Sequence, residues 1–205
     1  MAEIAGVLLA GGLSRRMGGG DKCLRLLHGQ TILARVIERV APQVGPLLIN
    51  ANGDKARFAA FGLPVRSDVV EGFAGPLAGV LTGMLWARAC KPEPTWLASF
   101  ATDAPFLPRD LVARLRAALA TGAADIASAK SGGRSHPVFA LWPLALVEDL
   151  RRALVEEGIR KVDAWTARHR LVEVEFANQP VDPFFNTNRP EDLEEAEALL
   201  ARTGS

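Results

Sequence analysis

The sequence predicts an α/β fold: a single three-layer αβα domain of Rossmann-like type around a mostly parallel sheet. Three observations predict it. Short apolar runs alternate with segments of helical spacing, the pattern of βαβ units. The first run, Ile4 to Ala10, is apolar throughout and stops at Gly11-Gly12, as a strand buried on both faces does before a glycine-rich loop. The 205 residues fit one domain, 1–205, and show neither an internal repeat nor a low-complexity linker.

The elements follow in order. Ile4 to Ala10 is the first strand, and Gly11 to Lys22 the loop after it. Thr31 to Val40 places Ile32, Val36, Ile37 and Val40 on one helical face, and Pro42 closes that helix. Leu47 to Asn50 is a short buried strand, 55–61 a short helix and 64–66 a third strand. A helix over 76–89 opens on a proline in its first turn, with Leu77, Val80, Leu81 and Leu85 inward. Trp96 to Thr102 is a strand that ends at Asp103, and 109–119 is an amphipathic helix. Segments 125–130 and 136–142 read as two strands around a Gly-Gly turn. Helices over 144–157 and 162–168, an alternating strand over 171–176 and an acidic helix over 190–201 complete the chain. Ligands of such sheets bind beyond the carboxyl ends of the strands. Ala10-Gly-Gly12, Asn50 and Asp103 each end a predicted strand and so converge on one crevice.

Composition narrows the function classes. Apolar residues make up 49% and the net charge is +1, with no basic run, so a nucleic-acid surface is not expected. Cys23 and Cys90 form neither a CxxC pair nor a disulfide framework, and read as two reduced thiols. The start lacks a basic n-region and a cleavage site, and no apolar stretch approaches the ~20 residues of a membrane span. A cytoplasmic protein with no membrane and no nucleic-acid partner is the expectation.

The chemistry is concentrated in Leu9-Ala-Gly-Gly-Leu-Ser-Arg-Arg-Met-Gly-Gly-Gly-Asp-Lys22. Glycines let several backbone N–H groups face one anion, and Arg16 and Lys22 add charge that pairs with phosphate oxygens. Ser14 lies inside the same string. The loop is neither a GxxxxGK[ST] nor a GxGxxG pattern, so it is a polyphosphate cradle of another kind. Asp103, between an apolar strand and Ala-Pro, can be a cation ligand or a helix cap; the next helix starts near Pro108, which makes capping the less natural of the two. Asp68 taken by itself reads as a loop carboxylate with free acceptor capacity. Trp86, Trp96, Trp142 and Trp165 sit on apolar segments and are expected in the core.

The string, followed in order by Asn50-Ala-Asn52, Ser67-Asp68, Gly75-Pro-Leu-Ala-Gly79, Thr102-Asp-Ala-Pro105, Ser135-His-Pro137 and Asn186-Thr-Asn188, resembles the molybdenum cofactor guanylyltransferase family of nucleotidyltransferases over nearly the whole chain. The resemblance implies transfer of GMP from GTP to the terminal phosphate of molybdopterin, with Mg2+ as cofactor and release of pyrophosphate. It implies that the N-terminal part binds GTP and the C-terminal part the pterin. Molybdoenzymes or their chaperones would take the product. Leu9, Ala10, Gly11 and Gly12 would meet guanine and phosphates through the backbone. Arg16 and Lys22 would hold the triphosphate, and Asn50 and Asp68 the nucleoside. The Gly75–Gly79 segment, with Leu77 in it, would border base and ribose. Asp103 would bind the metal. Arg134, His136, Arg160, Lys161, Asn186 and Asn188 would shape the pterin side; for His136 a structural role stands equally open. Asp103, Lys22 and Arg16 would carry catalysis by positioning and charge neutralisation, because an anionic phosphate nucleophile requires no Ser, Cys or His.

Three rival readings stay open. A sister cytidylyltransferase family reads Leu-Ala-Ala-Gly where this chain has Leu9-Ala-Gly-Gly12, and the methyl absent at Gly11 leaves room for a purine. Other small-molecule nucleotidyltransferases share the glycine loop but lack the Ser-His-Pro and Asn-Thr-Asn strings. A non-catalytic nucleotide-binding protein would typically have lost Lys22 or Asp103, and both are present.

Overall fold

The computed structural model describes residues 3–11, 21–72 and 75–203. In chain order the elements are β1 (Ile4–Leu9), β2 (Leu26–Leu27), β3 (Gln30–Thr31), α1 (Ile32–Val40), β4 (Leu47–Asn50), β5 (Val65–Arg66), α2 (Pro76–Arg88), β6 (Trp96–Ala101), α3 (Leu111–Leu119), β7 (Ile126–Ser131), β8 (Arg134–Pro143), α4 (Val147–Val155), α5 (Val162–Thr166), β9 (Leu171–Phe176) and α6 (Pro190–Thr203). Seven strands form one sheet in the order β5-β4-β1-β6-β8-β7-β9. Only β8 runs against its sheet neighbours; the other pairings, β1 with β4 and β6, β4 with β5, and β7 with β9, are parallel. The expected mostly parallel α/β sheet is the one observed.

Side-chain alternation along the central strands builds two cores. Leu8, Ile49, Phe100 and Leu141 point to the side covered by α1, α3 and α6. Ala5, Val7, Leu48, Leu97 and Trp142 point to the side covered by α2, α4 and α5. Continuous apolar strands are what a sheet covered on both faces requires. Thr31 caps α1, its hydroxyl accepting from the Ala34 N–H at 3.2 Å. Past Val40 the chain runs on through a 3-10 turn, Ala41–Gln43, that contains Pro42. The predicted helix over 55–61 is a 3-10 helix, Ala56–Phe61, and that over 144–157 starts with a 3-10 turn before α4. Of the tryptophans, Trp142 and Trp165 are fully buried, and Trp86 and Trp96 are half-buried.

Two features lay beyond the sequence reading. Leu26 to Thr31 forms a small hairpin whose tip, His28 and Gly29, has φ of 53° and 75°, the left-handed pair that a two-residue turn demands. The second is a bulge. Ala129 pairs with His136 while Ser128 pairs with Ala140, so Pro137 to Phe139 are unpaired with β7. Proline has no N–H to give to a ladder, which accounts for the break at that place.

Helix α2 packs against β1 at a distance that only glycine permits. A Cβ at Gly83 would lie 2.9 Å from Val7 Cβ and 3.0 Å from Leu97 Cδ2. One turn earlier, a Cβ at Gly79 would lie 2.6 Å from Leu9 Cδ2 and closer still to the Asn50 carboxamide oxygen. The helix is also covered by α4, so it is buried almost all round and lacks a one-sided apolar stripe. Among the described residues no helix is long and apolar enough to cross a membrane. Gly83→Val should destabilise the fold by about 1–3 kcal/mol through overpacking against Val7 and Leu97, read as a lower urea midpoint.

Candidate active site

The carboxyl ends of β1, β4 and β6 open into a cavity of about 580 Å³. Leu9, Ala10, Gly11, Lys22, Asn50, Asp68, Gly75 and Asp103 line it, so the structure brings these residues, chosen from sequence, into one place. Gly12, Ser14 and Arg16 lie outside the described residues. The strand ends are tied together: the Ala10 N–H donates to the Asn50 carbonyl at 2.9 Å, and Thr102 Oγ1 donates to the Leu9 carbonyl at 3.3 Å.

One wall is an amide and carboxylate network. Asn50 is 3% exposed, and its Nδ2 donates to Asp68 Oδ1 at 2.9 Å and to the Arg66 carbonyl at 3.3 Å. Asn52 Nδ2 donates to Asp68 Oδ2 at 2.8 Å, and the Asp68 N–H donates back to Asn52 Oδ1 at 2.9 Å. Each Asp68 oxygen thus accepts one amide N–H and keeps further acceptor capacity. The segment is pinned on α2, since the Val69 N–H donates to Thr82 Oγ1 at 3.1 Å.

The opposite wall carries charge. Burial pushes the Asp103 carboxyl up, against the pull of its own backbone N–H and of the Lys22 ammonium. The Asp103 carbonyl accepts from the Thr187 N–H at 2.9 Å and from Thr187 Oγ1 at 3.1 Å. Lys22 Nζ donates to Asn188 Oδ1 at 3.1 Å. Asp192 of α6 in turn accepts from the Asn188 and Arg189 N–H groups at 2.7 and 2.8 Å. The acidic start of α6, expected from sequence only as part of an acidic helix, therefore secures the segment that lies beside Lys22. Cys23 lines the cavity too, but burial pushes its thiol up to about 12, so it is a neutral wall and not a nucleophile.

Several predicted residues sit elsewhere. Leu77, expected at the base or ribose, is fully buried in the core between sheet, α2 and α4; on a helix it turns away from Gly75 and Gly79. Gly79 lies behind Asn50 and Leu9 rather than in the lining. His136, expected on the pterin side, is 6% exposed; its Nε2 is 2.8 Å from Ser131 Oγ, which donates to Asp182 at 2.8 Å. Its ring packs 4.6 Å from Phe184, and burial pushes its pKa down ahead of the opposing influence of Asp182. Apolar packing of the ring by Phe184 and Phe139 accounts for that position. Arg134, Arg160 and Lys161 are exposed and outside the lining, with the Arg160 carbonyl 3.4 Å from where a Gly75 Cβ would stand. Asn186 keeps a buried Oδ1 without a hydrogen-bond partner among the described residues, whereas Asn188 stands at Lys22.

The lining also contains Pro76, from the Gly75–Gly79 segment, and residues to which the sequence reading gave no role: Asp21, Asn52, Ala101, Thr102 and Val138. Asn52 stood in the Asn-Ala-Asn string, and Thr102 beside Asp103. Val138 is delivered by the Pro137 bulge, and nothing in its own residue type marks it.

The model of the MobA-like NTP transferase domain matches residues 6–172. The chain belongs to the MobA-like NTP transferase family. A molybdenum cofactor guanylyltransferase of Rhodopseudomonas palustris (strain BisB5) is 59% identical over 96% of this chain and 93% of its own. Among solved structures, molybdopterin-guanine dinucleotide biosynthesis protein A of Archaeoglobus fulgidus superposes with a TM-score of 0.75 at 21% identity, covering 97% of this chain and 99% of that one. A manganese complex of Rv0371C from Mycobacterium tuberculosis gives 0.68 at 18% identity, over 96% and 98%. The seven-stranded sheet and flanking helices are thus those of the MobA-like fold.

In this MobA-like transferase, an Asp103 carboxyl raised above its ordinary 3.8 favours the protonated form within the fold. Ionising it as pH rises through that window therefore removes stability. Asp103→Asn should melt no lower than wild type at pH 7 without divalent cation, and its advantage should shrink as pH falls toward 3.8. Thermal melts of both proteins across pH check this; an advantage that grows on acidification would contradict it.

Proposed function

We propose that this chain transfers GMP from GTP to the terminal phosphate of molybdopterin, forming a guanine dinucleotide and pyrophosphate. The observation that carries the reading is the convergence of Gly11, Lys22, Asn50, Asp68 and Asp103 on one cavity at the strand ends. Its support from relatives is the guanylyltransferase at 59% identity over nearly full length.

In this reading the Leu9–Gly12 backbone faces the nucleotide, Asn50 and Asp68 hold the nucleoside, and Gly75 forms the rim beside it. Lys22 and Arg16 hold the triphosphate. Arg134, Arg160, Lys161 and Asn186 serve the acceptor half of a single 1–205 domain, whose N-terminal part binds GTP and whose C-terminal part binds the pterin. His136 supports that half from within the core. Asn188 belongs to the junction of the two halves, because it already accepts from Lys22. With two free thiols, Cys23 and Cys90, a cytoplasmic location goes with the assignment.

The residues present fit a hard divalent cation. Asp103 stands on the cavity wall as a carboxylate whose burial disfavours its charge, and a cation would offset that cost. Among the described residues no cluster of three His, Cys, Asp or Glu side chains forms, so no all-protein cage exists. One carboxylate completed by substrate phosphates and water is the magnesium mode. Bound Mg2+ would neutralise charge on the phosphates as it develops.

The acceptor phosphate is already an anion. Its oxygen attacks the α-phosphorus in line, the P–O bond to the pyrophosphate breaks as the new one forms, and no proton need be removed. The chain's part is orientation and positive charge: Lys22 holds the leaving phosphates, while the Asp68 wall fixes the nucleoside. The neutral Cys23 thiol offers no covalent route.

Mass spectrometry of the product from GTP, Mg2+ and molybdopterin tests the reading; no GMP adduct, or a CMP adduct formed faster from CTP, would overturn it. Lys22→Ala should lower kcat at saturating GTP by about 10²–10³ with the melting temperature unchanged. Among the described residues, a Cβ at Gly11 would meet only Asn50 Oδ1, at 3.9 Å, so alanine fits beside them but occupies cavity space. Gly11→Ala should therefore reduce GTP turnover without loss of stability, checked by kinetics alongside melting.

A further inference from the structure

We propose that Arg57 is a positioning residue that joins the nucleoside end of the site to its triphosphate end, acting through Asn52 on one side and Asp21 on the other. The proposal rests on the guanylyltransferase reading above.

Arg57 does not line the cavity, yet it holds two residues that do. Its Nη2 donates to the Asn52 carbonyl at 2.7 Å, and its Nη1 donates to the Asp54 carbonyl. Its Nε side pairs with the Asp21 carboxylate, with both side chains about three-quarters buried at 25% and 21% exposure. The guanidinium also lies 4.6 Å from the centroid of the Phe58 ring, which fixes its plane. The Asn52–Asp54 turn offers its carbonyls to the fork because Gly53 takes a φ of 79°.

Each end of this relay reaches a group of the site. Asn52 grips Asp68 by two hydrogen bonds, one to the carboxylate and one from the backbone N–H. Fixing the Asn52 peptide therefore fixes the carboxylate on the nucleoside wall. Asp21 starts the 3-10 turn Lys22–Leu24, its carbonyl accepting from the Leu24 N–H at 3.0 Å. Fixing Asp21 fixes the root of Lys22 where the chain leaves the glycine-rich segment. Guanidinium is required because its planar fork donates to two carbonyls while its charge stands against the Asp21 carboxylate; an ammonium keeps the charge alone.

Two substitutions separate the arms. Arg57→Lys keeps a charge for Asp21 but drops the fork on Asn52 and Asp54. It should raise KM and Kd for GTP roughly tenfold, with kcat within about threefold of wild type. Asp21→Asn keeps the fork but weakens the ion pair. It should lower kcat roughly tenfold at saturating GTP, with KM within about threefold. Steady-state kinetics with GTP, Mg2+ and molybdopterin reads both, with GTP affinity by calorimetry and melting temperature alongside. Lower melting temperatures with unchanged kinetic constants, or both substitutions moving the same constant, would overturn the relay. A wild-type chain that makes no product, but whose GTP affinity still falls in Arg57→Lys, would sink the reaction assigned above and leave the nucleoside arm standing. No change in GTP affinity in Arg57→Lys sinks the relay whatever the product.

Discussion

The seating of α2 on β1 is the constraint on which the rest depends. Gly79 and Gly83 allow the helix to approach at backbone distance, and Asn50 occupies the gap left beside Gly79. Held there, Asn50 reaches Asp68 with its amide and receives the Ala10 N–H on its carbonyl. One helix packing thereby sets the end of β1, the end of β4 and the wall that carries Asp68. A side chain at either glycine would part the layers at the place where the cavity begins.

Much of this was legible in the sequence, for a physical reason. Strands buried on both faces must be continuously apolar, so Ile4–Leu9, Leu47–Asn50 and Trp96–Ala101 announced themselves, and with them the edge where Gly11, Asn50 and Asp103 meet. The Gly132-Gly133 turn, with φ of 53° and 76°, likewise marked the β7–β8 hairpin. What the sequence concealed depends on rotation and on contacts between distant segments. Leu77 sits inside a conspicuous glycine string, yet helical geometry carries it into the core. Arg57 lies in a short segment with no pattern of its own, and its importance comes from Asp21 and Asn52 arriving beside it. His136 was ambiguous by type; Phe139 and Phe184 place it among aromatic rings.

The segment after β9 shows how a site can extend past its most recognisable part. The family model ends at residue 172, but Thr187 and Asn188 make the hydrogen bonds to the Asp103 carbonyl and to Lys22. Asp182 and Asp192 brace that segment from either side, the first through Ser131 and the Phe184 N–H, the second through the Asn188 and Arg189 N–H groups. The last part of the chain therefore acts as a strap across Asp103 and Lys22.

The bulge at Pro137 gives β8 two allegiances. From Ala140 to Pro143 it is laddered to β6, and the Trp142 indole and the Val138 carbonyl both meet the Ser99 hydroxyl, at 2.8 and 2.5 Å. From Arg134 to His136 it is laddered to β7 alone. The break between them acts as a mechanical fuse. The paired residues above Pro137 thus share no ladder with β6, and below it β8 meets β6 from Ala140 to Pro143. Within one architecture, then, the hairpin can vary in length and aim apart from the strand ends that bear Gly11, Asn50 and Asp103.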